Sequence, residues 1–318
     1  MKEILPISAL VPTRNRAETF RRTLESLALQ SHQPFEMIVI DGSDDQLTKE
    51  ICESCISNLS TKIHYYTAVK LGAAIQRNQA IAHATQDTIW LLDDDILLEP
   101  HCLERLWNAL QSDSEVGGVN AMIINQKYTP PGRVSRALFE FLYGEKLESY
   151  AGKCIGPALN LLPEDRDELP EIMPVEWLNT TCVLYRREAL PDPLFPAHFT
   201  GYSLMEDVTL SLTVGKHWKL ANARTARIFH DSQPGDHKNN EKVLSQMDLV
   251  NRHFVMTKIL ERKSLSDYLK LTVLQLFAIA ALFGKEGKVQ NLSAVVQGKI
   301  GGIFEIIRDR NKQVTEDV

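Results

Sequence analysis

The sequence has no apolar run long enough to span a membrane. The only candidate, LTVLQLFAIAALF at residues 271–283, is well short of the roughly 20 residues that a spanning helix needs. A signal peptide is also missing, because Met1, Lys2 and Glu3 lead directly into a strand-like segment. These absences predict a chain that does not cross a bilayer, and a core or interfacial helix at 271–283.

Cysteine is scarce and shows no pairing pattern. The five cysteines are an odd, scattered set: Cys52, Cys55, Cys102, Cys154 and Cys182. Such a set predicts reduced thiols and a cytoplasmic location. Cys52 and Cys55 form one C-x-x-C, but they lie in a helical-looking stretch without a second pair. This context favours helix thiols over a zinc or redox site.

The chain has fewer basic than acidic residues. The chain has 35 Lys and Arg against 41 Asp and Glu, a net charge of −6, which argues against a broad nucleic-acid footprint. An anionic substrate is still allowed, because a bound metal can reverse the local sign of the charge. With 318 residues, 44% hydrophobic and 24% charged, the chain is typical of one large α/β domain plus an appendage, or of two modest domains.

Strand and helix patterns alternate through the first third of the chain. Strands are predicted at 4–13, 35–41, 62–67 and 87–93, with helices at 17–29, about 46–58, 73–84 and after Pro100. This alternation predicts an α/β fold with a mostly parallel sheet flanked by helices. The pattern weakens over 125–175, and after about 237 the chain is predicted to be helical, near 238–261, 265–283 and 289–309. The predicted division is therefore a domain at 1–237 and a helical C-terminal extension at 238–318.

Polar groups follow three of the predicted strands. Residues 12–14, Asp41 and residues 93–95 all fall at carboxyl ends. In parallel α/β sheets the ligand crevice lies beyond those ends. The sequence therefore predicts that these groups meet at one rim.

The stretch WLLDDDILLEP at 90–100 places three carboxylates side by side between apolar segments. Mg²⁺ and Mn²⁺ favour carboxylate oxygens and substrate phosphates. The alternative is a solvated acidic turn in which Asp95 only caps the next helix. Because the flanking residues are so apolar, the pattern favours a cleft and a bound metal.

Three segments together carry a family resemblance. ALVPTRNRAETFRRTLESLALQSHQPFEMIVIDGSDD, LGAAIQRNQAIAHATQDTIWLLDDDILLEPHCLERL and GYSLMEDVTLSLTVGKHW resemble, in order and spacing, the signatures of family 2 glycosyltransferases. The resemblance covers roughly residues 5–235. It implies the GT-A fold, which is Rossmann-like, and transfer of a sugar from a nucleotide-diphospho-sugar to an acceptor hydroxyl, generally with inversion.

The resemblance also implies which residues bind the nucleotide. Asp41 stands where the family holds the base, and Pro12, Thr13 and Arg14 line the same pocket. Arg77 matches an arginine near the diphosphate. From the residues alone, the alternative for Asp41 is a turn aspartate that bonds its own backbone, but its position at a strand end beside the D-x-D motif favours the functional role. Arg77 is equally a surface partner of a nearby acid, Asp87 or Glu99.

The D-x-D motif is assigned in the same way. Asp93 stands near the ribose, Asp95 binds the metal, and Asp94 shares either task. His230 is placed where many GT-A enzymes supply a histidine to the metal, which is Mn²⁺ or Mg²⁺. His217 and His237 compete with it as candidates.

The catalytic base implied by the resemblance is Asp207, with Glu206 beside it. Transfer needs a base for the acceptor hydroxyl and stabilisation of the departing diphosphate. Asp207 heads a predicted helix, where the dipole favours the ionised carboxylate, although a plain helix cap is the alternative reading. Trp177, Asn179 and Glu206 are candidates for the acceptor side, and a core role is the alternative for Trp177.

The predicted function is an inverting, metal-dependent glycosyltransferase of bacterial surface polysaccharide or glycoconjugate synthesis, acting on a saccharide or lipid-linked saccharide. A sugar-1-phosphate nucleotidyltransferase is disfavoured, because VPTRNRAETF has no glycine to form a triphosphate loop. A non-catalytic sugar-binding protein is disfavoured, because the carboxylates are present. The basic, apolar helices after 238 leave three alternatives open: peripheral contact with the inner face of the membrane, packing on the parent domain, or packing in a homo-oligomer.

Overall fold

The computed structural model describes residues 2–54, 59–233, 240–283 and 289–316, with side chains described through 309. The strands are β1 Glu3–Thr13, β2 His32–Asp41, β3 Lys62–Thr67, β4 Thr88–Leu92, β5 Ile96–Leu98, β6 Val116–Ile123, β7 Cys154–Ile155, β8 Leu159–Asn160, β9 Ile172–Val175, β10 Cys182–Arg186 and β11 Lys219–His230. The helices are α1 Ala17–Ala28, α2 Leu47–Glu53, α3 Ala73–Ile81, α4 Cys102–Gln111, α5 Arg133–Tyr143, α6 Glu206–Val214, α7 Glu241–Phe254, α8 Leu265–Ala280 and α9 Leu292–Glu316.

The chain divides into two compact units. Unit 1 comprises Met1–Thr129, Ala151–Lys153 and Leu161–Gln233, and unit 2 comprises Pro130–Tyr150, Cys154–Asn160 and Pro234–Val318. The predicted domain boundary at 237 lies outside the described residues, so the division into 1–237 and 238–318 stays a prediction. Among the helices that the structure describes, none combines the length and apolar character required to cross a bilayer.

Unit 1 is built on a nine-stranded mixed sheet. Its first half has the order β3-β2-β1-β4, and all three pairings are parallel. Beyond β4, β10 runs antiparallel between β4 and β6. β11 is parallel to β6 and antiparallel to β5 and β9. The predicted α/β class with flanking helices is confirmed, and the parallel strands that were predicted form one half of a mixed sheet.

The order of the sheet follows from apolar patterning. The last seven residues of β1, ISALVPT, are all buried, as expected for a central parallel strand that is covered on both faces. α1 covers the sheet with Phe20, Leu24 and Leu27, which recur at helical spacing and are fully buried. Each such side chain contributes about 1.5–3 kcal/mol when it leaves water. The core thereby fixes the carboxyl ends of β1, β2 and β4 next to one another.

Unit 2 is mainly helical. α7 and α9 pack together, and the Asp248 carboxylate on α7 accepts from Arg252 (3.0 Å) and from Lys299 on α9 (2.7 Å). Although burial alone would raise the pKa of Asp248, these two cations lower it well below its usual range. α8 begins with a capping box in which Ser264 and Asp267 bond each other's backbone N–H groups. The predicted helices of the C-terminal segment are thus confirmed at α7, α8 and α9.

Candidate active site

The aspartates Asp93, Asp94 and Asp95 form the turn between β4 and β5. The Asp93 backbone N–H donates to the Thr181 carbonyl (2.9 Å), and β5 continues the sheet beside β11. Asp94 and Asp95 are each only 4% exposed. A solvated turn would leave its carboxylates in water, so this burial contradicts the alternative of a plain acidic turn.

Asp94 joins the aspartate turn to the end of β1. The Thr13 hydroxyl donates to Asp94 Oδ2 (2.6 Å), and the Arg16 guanidinium lies 3.2 Å from both Asp94 Oδ1 and Asp95 Oδ2. Burial raises the pKa of Asp94 to about 7, against the lowering effect of Arg16. The predicted meeting of strand ends is therefore observed, and Arg16 is a member of the site that the sequence did not single out.

Arg77 is a buried cation held between two carboxylates. It is 2% exposed, and its guanidinium donates to Asp93 Oδ1 and Glu206 Oε1, each at 2.5 Å. Although burial alone would lower the pKa of Arg77, the two carboxylates raise it. Burial also raises the pKa of Glu206 to about 7, against Arg77. The alternative of a surface pairing with Asp87 or Glu99 is wrong, and Arg77 instead links β4 to α6.

A cluster of three side chains fits a divalent cation. One ligand atom from each of Asp93, Asp95 and His230 lies within 4.8 Å of the other two. His230 Nε2 is 3.2 Å from Asp95 Oδ1, and its Nδ1 is 3.1 Å from the Gln126 amide. Two ligands of one octahedral Mg²⁺ lie about 3–4 Å apart, so a small closure of this cluster suffices. Five carboxylates share the site with two guanidinium groups, and this excess of negative charge favours a bound cation.

Asp207 lies in the first turn of α6, directly after Glu206. The helix begins at Glu206 with Met205 as its N-cap, so Asp207 is inside the helix and is not the cap. Asp207 Oδ1 accepts from the Val208 backbone N–H (2.8 Å). Burial raises the pKa of Asp207 to about 6, against the Val208 N–H and the nearby Arg77. The carboxylate is therefore ionised at neutral pH and retains basic character.

Asp41 ends β2 and is almost fully buried. Its Oδ1 accepts from the backbone N–H of Ser43 (2.9 Å) and from the Ser43 hydroxyl, and its Oδ2 accepts from the Tyr65 hydroxyl (3.0 Å). Burial and Asp41 together raise the pKa of Tyr65 to about 12. The backbone hydrogen bond expected of a turn aspartate is therefore present. The hydrogen bond from Tyr65 on β3 also fixes the position of the Asp41 carboxylate.

The remaining nucleotide candidates lie around the end of β1. Pro12 and Thr13 are buried within the strand, and Arg14 is exposed just after it. Gln76 on α3 donates to the carbonyls of Thr13 (3.0 Å) and Ile40 (2.8 Å), so it holds the ends of β1 and β2 together. Gln76 is a second member of the site that the sequence analysis missed.

Trp177 and Asn179 are buried residues just before β10. The Trp177 indole N–H donates to the Leu161 carbonyl (2.7 Å), which is the geometry of a core tryptophan. Asn179 Oδ1 is buried and accepts no hydrogen bond from the described residues. The assignment of both residues to the acceptor side stays a prediction.

A backbone bridge joins the loop before α3 to the loop before α6. Gly72 (φ +132°) pairs with Gly201 (φ +62°), and a Cβ at Gly72 would lie 3.1 Å from the Gly201 nitrogen. Tyr202 follows this bridge and is partly exposed. Burial raises the pKa of Tyr202, and the charges of Asp207 and Asp93 raise it further. The bridge therefore brings an exposed phenol to the rim of the carboxylate cluster.

Comparison with known families identifies the family to which this chain belongs. The model of the glycosyl transferase family 2 matches residues 8–190, more than half of the chain. This chain belongs to family 2 of the glycosyltransferases. The matched range contains the D-x-D turn and Arg77, while Asp207 and His230 follow it. The resemblance stated from the sequence is thus confirmed.

Two curated glycosyltransferases are similar to part of this chain. An uncharacterized glycosyltransferase of Nostoc sp. is 22% identical over 195 residues, which cover 57% of this chain and 59% of that protein. The putative teichuronic acid biosynthesis glycosyltransferase TuaG of Bacillus subtilis is 23% identical over 202 residues, covering 63% of this chain and 76% of TuaG. The match to the Nostoc protein spans less than two thirds of its length.

Among solved structures, mannosyltransferase PcManGT from Pyrobaculum calidifontis has a similar fold. The TM-score is 0.56 at 15% sequence identity, and the alignment covers 94% of this chain and 87% of that one. PcManGT was crystallised in complex with GDP-Man and Mn²⁺. The likeness confirms the GT-A fold for this family 2 member.

Proposed function

We propose that the chain is an inverting, metal-dependent glycosyltransferase that moves a sugar from a nucleotide-diphospho-sugar to an acceptor hydroxyl. The observation that carries this proposal is one connected cluster of a cation site and a base. Asp93 bonds Arg77, Arg77 bonds Glu206, and Asp207 follows Glu206 on α6. A donor diphosphate at the cation site would therefore lie close to the base.

The nucleotide of the sugar donor is proposed to bind at the carboxyl ends of the first two strands. Asp41 with Pro12, Thr13 and Arg14 would hold the nucleotide at the carboxyl ends of β1 and β2, where open α/β sheets bind ligands. The solved complex of PcManGT with GDP-Man and Mn²⁺ supports a nucleotide-diphospho-sugar as the donor.

Metal binding is proposed because three side chains of the cluster carry suitable ligand atoms. Asp93, Asp95 and His230 would hold Mn²⁺ or Mg²⁺, because the two carboxylates are ligands that suit both ions. When bound, the ion supplies positive charge against the charge that develops on the departing diphosphate. Arg16 and Thr13 fix Asp94, and thereby the turn that carries the two ligating aspartates. Arg77 holds Asp93 near the predicted position of the diphosphate.

The base side rests on the environment of Asp207. With a pKa of about 6, roughly nine tenths of the carboxylate is ionised at pH 7. The α6 dipole favours the same form. Because Val208 bonds Oδ1, we assign Oδ2 as the atom that takes the proton of the acceptor hydroxyl. Attack opposite the leaving group inverts the anomeric centre without a covalent intermediate.

The acceptor is proposed to be a saccharide or lipid-linked saccharide in bacterial surface polysaccharide or glycoconjugate synthesis. The name of TuaG, which assigns that relative to teichuronic acid biosynthesis, supports this class. Trp177, Asn179 and Glu206 keep their proposed place on the acceptor side. We also propose a cytoplasmic location, because Cys52, Cys102 and Cys182 are reduced thiols in the part of the chain that the structure describes.

Asp207→Asn tests the proposal. Donor class is first assigned by thermal shift with UDP-, GDP-, dTDP- and CDP-sugars, with and without Mn²⁺, and one donor should stabilise the protein only with the ion. With that donor, the variant should lose transfer by about 10²–10⁴-fold, the contribution of a general base, and retain ion-dependent stabilisation. Asp113→Asn, at an exposed aspartate bonded to Lys219, is the matched control and should transfer normally. Wild-type transfer by the Asp207 variant would exclude it as the base.

A further inference from the structure

Unit 2 exposes a disproportionate share of apolar surface. Of the 22 large hydrophobic side chains that are exposed among the described residues, 13 belong to unit 2, although it is the smaller unit. Most of them lie on α8 and α9. Exposed apolar side chains that concentrate on two helices are typical of an interaction site, whereas singly scattered ones need no explanation.

Helix α9 packs on α7 through its smallest residues. A Cβ at Gly298 would lie 2.9 Å from Ser245 Cβ, and a Cβ at Gly302 would lie 3.2 Å from Leu249 Cδ2. Polar bonds join the same faces, including Ser245 Oγ to the Val295 carbonyl (2.9 Å). The contact with α7 therefore uses glycines, polar groups and Ile306, which packs on the cluster that contains Leu249. Four other bulky residues of α9 are left exposed.

The outer face of α9 carries four large apolar side chains. Ile300, Ile303, Phe304 and Ile307 recur at i, i+3, i+4 and i+7, which places them on one side of the helix. They are 49–68% exposed. A helix of a globular protein normally turns such a stripe towards the core. In α9 the stripe faces outward and the small residues face inward.

Helix α8 also carries a stripe of exposed apolar side chains on one face. Leu265, Leu269 and Leu276 are spaced at i, i+4 and i+11, so they lie within about 40° of one another around the helix at 100° per residue. They are 55–90% exposed. Two helices of the same unit therefore each present an apolar stripe that no described residue covers.

The charge of the C-terminal segment indicates what would cover these stripes. Residues 238–318 contain 13 Lys and Arg against 9 Asp and Glu, whereas residues 1–237 contain 22 against 32. A net positive segment thus follows a strongly acidic one. Lys258 and Lys263 are exposed just before the α8 stripe. Positive charge beside an apolar face complements an anionic lipid surface and opposes pairing with a second, equally positive copy.

We propose that the outer faces of α8 and α9 dock on an anionic membrane surface. Leu265, Leu269 and Leu276 on α8, and Phe304 and Ile307 on α9, would enter the boundary between headgroups and acyl chains. Exposed lysines such as Lys263 would face the lipid phosphates. This binding goes beyond the proposed transfer reaction and does not depend on it.

Vesicle co-sedimentation of the full chain tests the docking surface without any sugar donor. The wild-type protein should bind vesicles of phosphatidylglycerol and phosphatidylcholine at least tenfold more tightly than vesicles of phosphatidylcholine alone. Raising the salt from 0.1 to 0.5 M should weaken binding severalfold, because it screens the electrostatic part. Phe304→Ser/Ile307→Ser should reduce binding at least tenfold, and Lys263→Glu should reduce binding to the anionic vesicles only.

Leu29→Ser/Leu47→Ser is the matched control, because both leucines are exposed in unit 1. It should bind vesicles as the wild type does. Thermal melting of each variant verifies folding. Binding that is absent in the wild type, or equal on neutral vesicles, would overturn the proposal. The same holds if sedimentation velocity shows a wild-type dimer that Phe304→Ser/Ile307→Ser converts to monomers while vesicle binding is unchanged, since the stripes would then join two copies.

Discussion

Replacing Arg77 by methionine measures how strongly the buried guanidinium holds the two halves of the active site. Arg77 makes two bonds of 2.5 Å, to Asp93 and to Glu206, and it is 2% exposed. Removing one partner of a buried ion pair typically costs about 3–5 kcal/mol, because the remaining charge is left uncompensated. The Asp93 side chain is 25% exposed and can regain water, whereas that of Glu206 is 10% exposed. Burial already raises the pKa of Glu206 to about 7 with Arg77 in place, so Glu206 takes up a proton when the guanidinium is removed. We therefore expect unit 1 to lose about 1–3 kcal/mol, mostly through the buried Glu206 carboxyl that is left without its partner.

The assay is urea unfolding in EDTA, followed by tryptophan fluorescence, because all four tryptophans lie in unit 1. Arg21→Met is the matched control: Arg21 pairs with Glu18 and Glu25 on the exposed face of α1, where solvent screens the pairs, so its loss should leave the unfolding midpoint almost unchanged. The double variant Arg77→Met/Glu206→Gln should be more stable than Arg77→Met alone. The reasoning fails if Arg77→Met matches the control, or if the double variant recovers nothing.

Three further predictions concern protonation, metal binding and unit 2. Because burial raises the pKa of Asp207 to about 6 and the base acts ionised, kcat/KM should fall about tenfold per pH unit below 6, and a profile flat to pH 5 would contradict this. His230→Gln should weaken Mn²⁺ binding about tenfold or more in calorimetry without substrate, and an unchanged affinity would remove His230 from the ligand set. The pKa of Asp248 is lowered on folding by Arg252 and Lys299 against burial, so this carboxylate stabilises the fold above about pH 4, and the effect is lost as the pH falls through its folded pKa. Asp248→Asn should therefore lower stability by about 1–3 kcal/mol at pH 7 in urea unfolding followed by circular dichroism, with a smaller difference at pH 3.

The parallel half of the sheet could be predicted because its strands are continuous apolar runs that end in polar residues. β6 and β11 were not predicted, although they complete the sheet. β6, VGGVNAMI, contains Gly117 and Gly118, whose missing side chains leave room for Trp218 and Tyr185. That fit depends on residues far away in the chain. β11, KLANARTARIFH, carries polar residues that tertiary pairing overrides.

The candidate site shows the same limit. Thr13 and the aspartate turn were predicted to meet, because parallel strand ends share one edge. Arg16 and Gln76 were missed, since a single sequence does not reveal that Arg16 reaches carboxylates 78 and 79 residues later. For Arg77 the resemblance gave a place near the diphosphate, but not its bond to Glu206. The apolar residues around Glu206 were the available signal, because a buried carboxylate needs a cation.

The pairing of Gly72 with Gly201 has a consequence for engineering acceptor choice. A segment grafted before α6 from another transferase must keep the backbone pairing between residues 72 and 201. A methyl group at residue 72 would lie only 3.1 Å from the backbone nitrogen of Gly201. Exchanges should therefore move residues 72 and 201 as a matched set. A graft that matches only the sequence ends of the loop would shift the first turn of α6, and with it the proposed base Asp207, away from the proposed cation site.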